Sequence, residues 1–156
     1  MIICCDTREQ KDAHVTNWFD QNGIKWIRSK LYVGDYTLLH DQSTCVDRKK
    51  DMQEIYGNLI QQHIRFREEL IRAREADIQL IVLIEDPHIK DIDMVYLWQN
   101  PRYFQWVAKG SKGRPPASSS NIMGIMKRMS EVYGVRWEFA RHDQIGAKIV
   151  QLLGGC

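Results

Sequence analysis

The chain has 156 residues, 44% of them hydrophobic and 27% charged, and a net charge of only +2. This excludes a disordered or polycationic chain and fits one globular domain, residues 1–156, large enough to bury a core without disulfides. Cys4, Cys5, Cys45 and Cys156 form no CxxC pair, and no stretch reads as a signal peptide or a membrane span, so reduced thiols and an intracellular setting are expected.

The apolar run Ile2 to Cys5 ends in Asp6, as a buried strand delivering an acid to a sheet edge would. From Asp12 to Asn22, Ala13, Val15, Trp18 and Phe19 have helical spacing, with Gly23 as the stop. Ile24 to Ile27 and Leu31 to Leu39 read as strands, the second interrupted at Gly34. The polar turn at residues 40–43 then pairs Leu31–Leu39 with Thr44–Lys49 as a hairpin. Met52, Ile55, Tyr56, Leu59, Ile60, His63, Phe66 and Leu70 predict one long amphipathic helix to about Ala76, with Arg65, Arg67, Arg72 and Arg74 on its other face. Ile78 to Ile84, ended by Glu85, is the continuous apolar run of a central strand covered on both faces. An irregular stretch follows, then a helix over 121–133, a strand over 135–139 and a final helix over 143–153 closed by Gly154 and Gly155. Strands alternating with helices predict an α/β fold with a central mixed sheet flanked by helices.

The chemistry concentrates where the fourth strand, Thr44–Lys49, ends. Asp47 and Lys49 alternate onto one face and Arg48 onto the other. By itself this triplet also fits a solvated, salt-bridged strand edge. Asp35 on the partner strand shares a face with Asp47 only if the loop is odd in length or a bulge intervenes, and Gly34 suits a bulge. Asp6 and Glu9 join the group if the first strand lies beside the hairpin. Carboxylates about 4 Å apart repel by about 4 kcal/mol at an effective dielectric near 20, so such a group calls for a counter-charge. Oxygen donors without thiolate or imidazole favour Mg²⁺ or Mn²⁺.

Asp6-Thr7-Arg8-Glu9, Gly34-Asp35-Tyr36 and Val46-Asp47-Arg48-Lys49 together resemble the XPF family of structure-specific endonucleases, a branch of the PD-(D/E)XK-like nucleases. The resemblance extends over most of the chain. It implies a restriction-endonuclease-like fold and metal-dependent cleavage of branched, flapped or junction DNA, leaving a 5′-phosphate and a 3′-hydroxyl. It also implies an ion held by Asp35 and Asp47 with Asp6 or Glu9, and Lys49 beside the attacking water. Arg48 either braces the site or contacts phosphate. Two positions depart from the family pattern: Asp47 replaces a glutamate, and Gln53 replaces the later aspartate, with Asp51 two positions away. No counterpart of the tandem helix-hairpin-helix module is present in the 156 residues. The resemblance is therefore to a minimal stand-alone form of the kind found in phage or prophage genomes, working as a homodimer or beside a host or phage subunit.

Between Met94 and Ser130 there is no acidic residue, whereas Arg102, Lys109, Lys112, Arg114, Lys127 and Arg128 are basic, and five aromatic residues are interleaved. With Arg8 these are the expected DNA contacts, and residues 109–120 are predicted to be a mobile basic loop. The aromatics fit a core or a subunit interface as well as a base-stacking platform. A silenced DNA-binding or scaffold subunit and a junction-resolving or restriction-type nuclease are the competing functions.

Overall fold

A computed structural model describes residues 1–154. Gly155 and Cys156, assigned above to the helix close and the thiol inventory, lie outside the described residues. Six strands form one mixed sheet in the order β2-β1-β3-β4-β5-β6. They are β1 (Ile2–Asp6), β2 (Lys25–Ser29), β3 (Tyr36–Leu38), β4 (Thr44–Lys49), β5 (Gln79–Glu85) and β6 (Arg136–Ala140). β3 is antiparallel to both β1 and β4, whereas β1–β2, β4–β5 and β5–β6 are parallel.

Helices cover both faces. On one, α1 (Ala13–Gln21) and α6 (Ile145–Leu152) bury Val15, Phe19, Ile145 and Ile149 against Ile3, Cys5, Val46, Ile81 and Leu83. On the other, α2 (Met52–Tyr56), α3 (His63–Glu75) and α5 (Ser119–Tyr133) pack Ile55, Phe66, Leu70, Ile122 and Met126 on Cys45, Leu80, Val82 and Ile84. Successive strand residues thus feed opposite cores. That is why β5 is apolar from Leu80 to Ile84 and β4 at Cys45 and Val46, ahead of the charged residues that end both strands.

Three elements differ from the sequence expectation. The long helix is interrupted at Gly57–Gln61, a wide turn in which the Gln62 N–H donates to the Gly57 carbonyl. The extra residue in that turn rotates the apolar stripe, so Phe66 and Leu70 stay buried while Ile60 and His63 face solvent. Leu31–Leu39 contributes only the three residues of β3, because Leu31 to Asp35 form a loop turning at Gly34. The stretch read as irregular contains a short helical turn, Ile92–Leu97, and α4 (Pro101–Ala108). Asn100 caps α4 by accepting from the Arg102 N–H, and Pro101 fills its first turn. No helix among the described residues is long and apolar enough to cross a membrane.

Candidate functional site

Gly34 determines where Asp35 points. Its φ is +70°, and a Cβ there would stand 3.2 Å from both the Cys45 Cβ and the Val46 carbonyl oxygen, so any other residue is strained and crowded. The chain then enters β3 with the Asp35 N–H donating to the Val46 carbonyl (2.8 Å) and the Asp35 carbonyl accepting from the Asp6 N–H (2.7 Å). Tyr36 pairs with Val46, and that register carried one step beyond β3 sets Asp35 and Asp47 on the same face of the sheet. The odd register required of the hairpin is present.

Asp47 and Lys49 lie on that face. Lys49 Nζ is 2.9 Å from Asp47 Oδ2 and 5.8 Å from the Phe66 ring centre. The buried Asp47 Oδ2 has the Lys49 ammonium as its charged partner. Burial, then the charge of Asp47, holds the Asp35 carboxyl well above its usual range. Burial opposes the charge on Lys49, but Asp47 and Asp35 outweigh it and raise the pKa of the ammonium. Asp35 Oδ2 accepts the Arg48 N–H at 2.8 Å, which fixes the carboxylate against the start of the Arg48-Lys49 pair.

Arg48 emerges on the opposite face. It donates from Nη1 to Glu85 Oε1 (2.7 Å), and from Nη2 to Glu9 Oε2 (3.2 Å) and the Lys11 carbonyl (3.0 Å). Burial works against its charge, yet Glu9 and Glu85 more than offset that cost. The guanidinium therefore ties together the segment after β1, the end of β4 and the end of β5. Arg48, Glu9, Glu85, Gln53 and Arg102 line an open cleft at this end of the sheet; Asp35, Asp47 and Lys49 are not part of its lining.

The structure brings Asp35, Asp47 and Lys49 together and leaves Glu9 close enough to raise Asp35 further. It does not bring the oxygens of Asp6 into this group. Asp6 Oδ1 accepts from the Arg8 N–H (2.7 Å) and Nε (2.8 Å), and Oδ2 from Arg8 Nη2 (2.9 Å) and the Leu31 N–H (2.7 Å). Burial raises the Asp6 pKa, but these donors outweigh it and the net shift is downward. Asp51 is likewise committed: its Oδ1 caps α2 by accepting the Glu54 N–H at 2.9 Å. Gln53 is exposed on the cleft wall.

One acid was missed by the sequence reading. Glu69 on α3 accepts the Gly34 N–H at 3.1 Å, and burial, followed by the charge of Asp47, raises its pKa. Its signal was faint: it stands between Phe66 and Leu70, at the margin of the buried stripe, on a face otherwise full of exposed charge.

The expected DNA-contacting residues divide into two groups. Arg8 is bound to Asp6 but leaves most of its side chain exposed, and Arg102 lies over the Tyr56 ring at 4.7 Å while lining the cleft. Lys109, Lys112 and Arg114 are exposed after α4, Arg128 is exposed on α5, and Lys127 is paired with Asp93 at 2.7 Å. Trp106 Nε1 donates to the Lys112 carbonyl (3.0 Å), folding this basic turn onto α4. Tyr96, Tyr103 and Phe104 are exposed, whereas Trp98 packs against the core.

The family model of the ERCC4 domain matches residues 5–152, a span that includes every acid and base of this cluster. The chain belongs to the ERCC4 domain family. Among solved structures it is similar to XPF from Aeropyrum pernix at 21% identity and a TM-score of 0.68, covering 98% of this chain and 60% of that one. The same protein in complex with DNA matches at 20% identity and a TM-score of 0.68, covering 97% and 62%. The ERCC4-family chain therefore shares the restriction-endonuclease-like nuclease fold of XPF and spans about three fifths of those chains. No curated protein matches it.

Proposed function

We propose that this chain is a divalent-metal-dependent endonuclease that hydrolyses phosphodiester bonds in branched, flapped or junction DNA. The observation that carries the reading is the gathering of Asp35 and Asp47 on one face beside Lys49, whose Nζ lies 2.9 Å from Asp47 Oδ2, with the Asp35 carboxyl raised by burial and by the charge of Asp47. The donors are carboxylates of Asp35 and Asp47, with Glu69 and Glu9 at their edge and no thiolate, a set that fits Mg²⁺ or Mn²⁺. Since Asp6 is filled by its own donors and Glu9 accepts from Arg48 and the Lys11 N–H, Glu69 is the acid best placed to complete the set. Glu69 supplies the charge that Gln53 does not. A bound ion would polarise a phosphoryl oxygen and lower the pKa of a water.

The protein's own groups do the positioning. Lys49, charged and immobilised by Asp47, is placed to contact an attacking water or the charge that develops on phosphorus during in-line displacement. Arg48 braces the site through Glu9 and Glu85, which keeps β4 aligned with β5. Arg8 and Arg102 at the cleft, with Lys109, Lys112, Arg114, Lys127 and Arg128 beyond it, supply phosphate contacts. The exposed rings of Tyr103 and Phe104 suit stacking on unpaired bases near a branch point. A homodimer, or a heterodimer with a second subunit of the fold, is the assembly this reading expects.

The exposed Gln53 favours one competing reading, a DNA-binding subunit that does not cut. Incubating flap, four-way-junction and linear duplex DNA with the chain and Mn²⁺ separates the two. The expected result is cleavage of branched DNA over linear duplex, lost in Asp47→Asn with DNA binding retained. Binding without cleavage in Mn²⁺ identifies the scaffold instead, and equal cutting of linear duplex removes the branch preference.

A further inference from the structure

Three side chains from separate segments meet at the end of β5, on the Arg48 side of the sheet. His14 of α1 places Nε2 2.8 Å from Glu85 Oε1, and His142, ahead of α6, places Nδ1 2.6 Å from Glu85 Oε2. The imidazoles are stacked, with centroids 4.0 Å apart and planes 15° from parallel. One ligand atom from each residue can be chosen so that all three lie within 4.8 Å of one another. We propose that His14, Glu85 and His142 form a second metal site, specific for Zn²⁺ or a similar late first-row ion such as Co²⁺ and distinct from the carboxylate site.

The donor chemistry separates the two sites. Two imidazoles and one carboxylate are the borderline set that suits zinc, and three protein ligands leave a fourth position for water or a substrate oxygen. The all-oxygen group around Asp35 suits a harder ion. Around a tetrahedral ion with bonds of about 2.0–2.1 Å, neighbouring ligand atoms are about 3.4 Å apart, so the group contracts by about 1.4 Å at most. His142, whose side chain is 69% exposed, turns to open the stack. Arg48 does not block the site. It contacts Glu85 through Oε1 only, leaving Oε2 for the ion, and its bonds to Glu9 and the Lys11 carbonyl hold it in place. In that arrangement Arg48 is the outer partner that orients a ligating carboxylate. Both histidines and Glu85 line the open cleft, so the fourth position faces the space where a phosphate of the nucleic acid would lie.

The site is independent of cleavage and is tested without it. Metal-free protein carrying Asp35→Asn and Asp47→Asn, which silences the carboxylate site, is titrated with Zn²⁺ by calorimetry and with Co²⁺ by visible absorption. One ion per chain, with the intense Co²⁺ bands of a four-coordinate site and no competition from excess Mg²⁺, is expected. Adding His14→Ala or His142→Ala should weaken Zn²⁺ binding by about 100-fold. In the unsubstituted protein, Zn²⁺ should shift the ring resonances of His14 and His142 and leave those of His40, His63 and His88 in place, a readout that needs no variant to fold. No uptake of Zn²⁺, an affinity unchanged by the alanine substitutions, or shifts at other histidines overturns the site.

Discussion

Asp6 ends β1 and Asp35 stands just ahead of β3, joined by the Asp6 N–H to the Asp35 carbonyl, yet the surroundings of the two acids are opposite. Asp6 receives four donors, two of them backbone N–H groups, and its pKa falls. Asp35 receives the single N–H of Arg48, faces a second carboxylate, and its pKa rises. A carboxylate with every lone pair occupied holds the chain together; one packed against another acid with few donors costs stability until a cation arrives. The structural acid and the chemical acid are distinguished by their donors, not by their place in the motif.

Substituting the two acids should therefore move stability in opposite directions. Asp35→Asn should reduce Mn²⁺-dependent cleavage by about 1000-fold or more, while raising the stability of the metal-free protein by about 1 kcal/mol in urea unfolding. The pH dependence follows from the same shift. Asp35's folded pKa is raised, so the folded chain binds the proton more tightly, and the metal-free protein gains stability from this group as pH falls through that raised value. The Asn variant should lack this gain. A metal-free Asp35→Asn protein less stable than its parent would break the comparison.

Arg48→Ala strands Glu9 and Glu85 without their counter-charge and should cost about 3 kcal/mol; Arg48→Lys, which cannot reach both acids from one planar group, should recover only part of it. Asp6→Asn should cost about 2 kcal/mol by leaving Arg8 and the Leu31 N–H short of acceptors. Asp6's folded pKa is lowered, so its contribution is complete above the ordinary carboxylate range and disappears as pH falls through its folded value. The Asn variant and the parent should thus converge in acid, as unfolding curves at several pH values will reveal. The smallest effect belongs to the surface: Lys112→Ala with Arg114→Ala should lower the slope of log affinity against log salt by about 1.4 to 1.8 for DNA binding, if both residues contact phosphate. An unchanged slope would place the nucleic acid elsewhere.

Much of this was legible in one dimension. The alternation of Asp47, Arg48 and Lys49 across β4 follows from strand geometry, and the stretch Ile78–Ile84 reads as a buried central strand because both of its faces are largely apolar. The motifs that resembled a nuclease family lie within the residues its domain model matches. Other features were hidden. The wide turn at Gly57–Gln61 has no periodic signature, so the spacing alone predicts a continuous helix with His63 on its buried stripe, whereas the turn leaves His63 exposed. Glu69 stood among surface charges, and Asp6 matched a motif whose hydrogen bonds depend on a loop arriving from residue 31.

What the sequence determined by itself was the local: which segments are strands and helices, which strand ends carry acids and bases, and the glycine that lets the chain turn beside β4. Only the tertiary structure decided which of those charges meet. Asp35 faces Asp47 because two strands pair in one register, Glu69 joins them because α3 crosses that face, and His14, Glu85 and His142 converge from segments more than fifty residues apart. Charge acts through space with a strength set by separation and burial, and neither quantity is written in the order of residues along a chain.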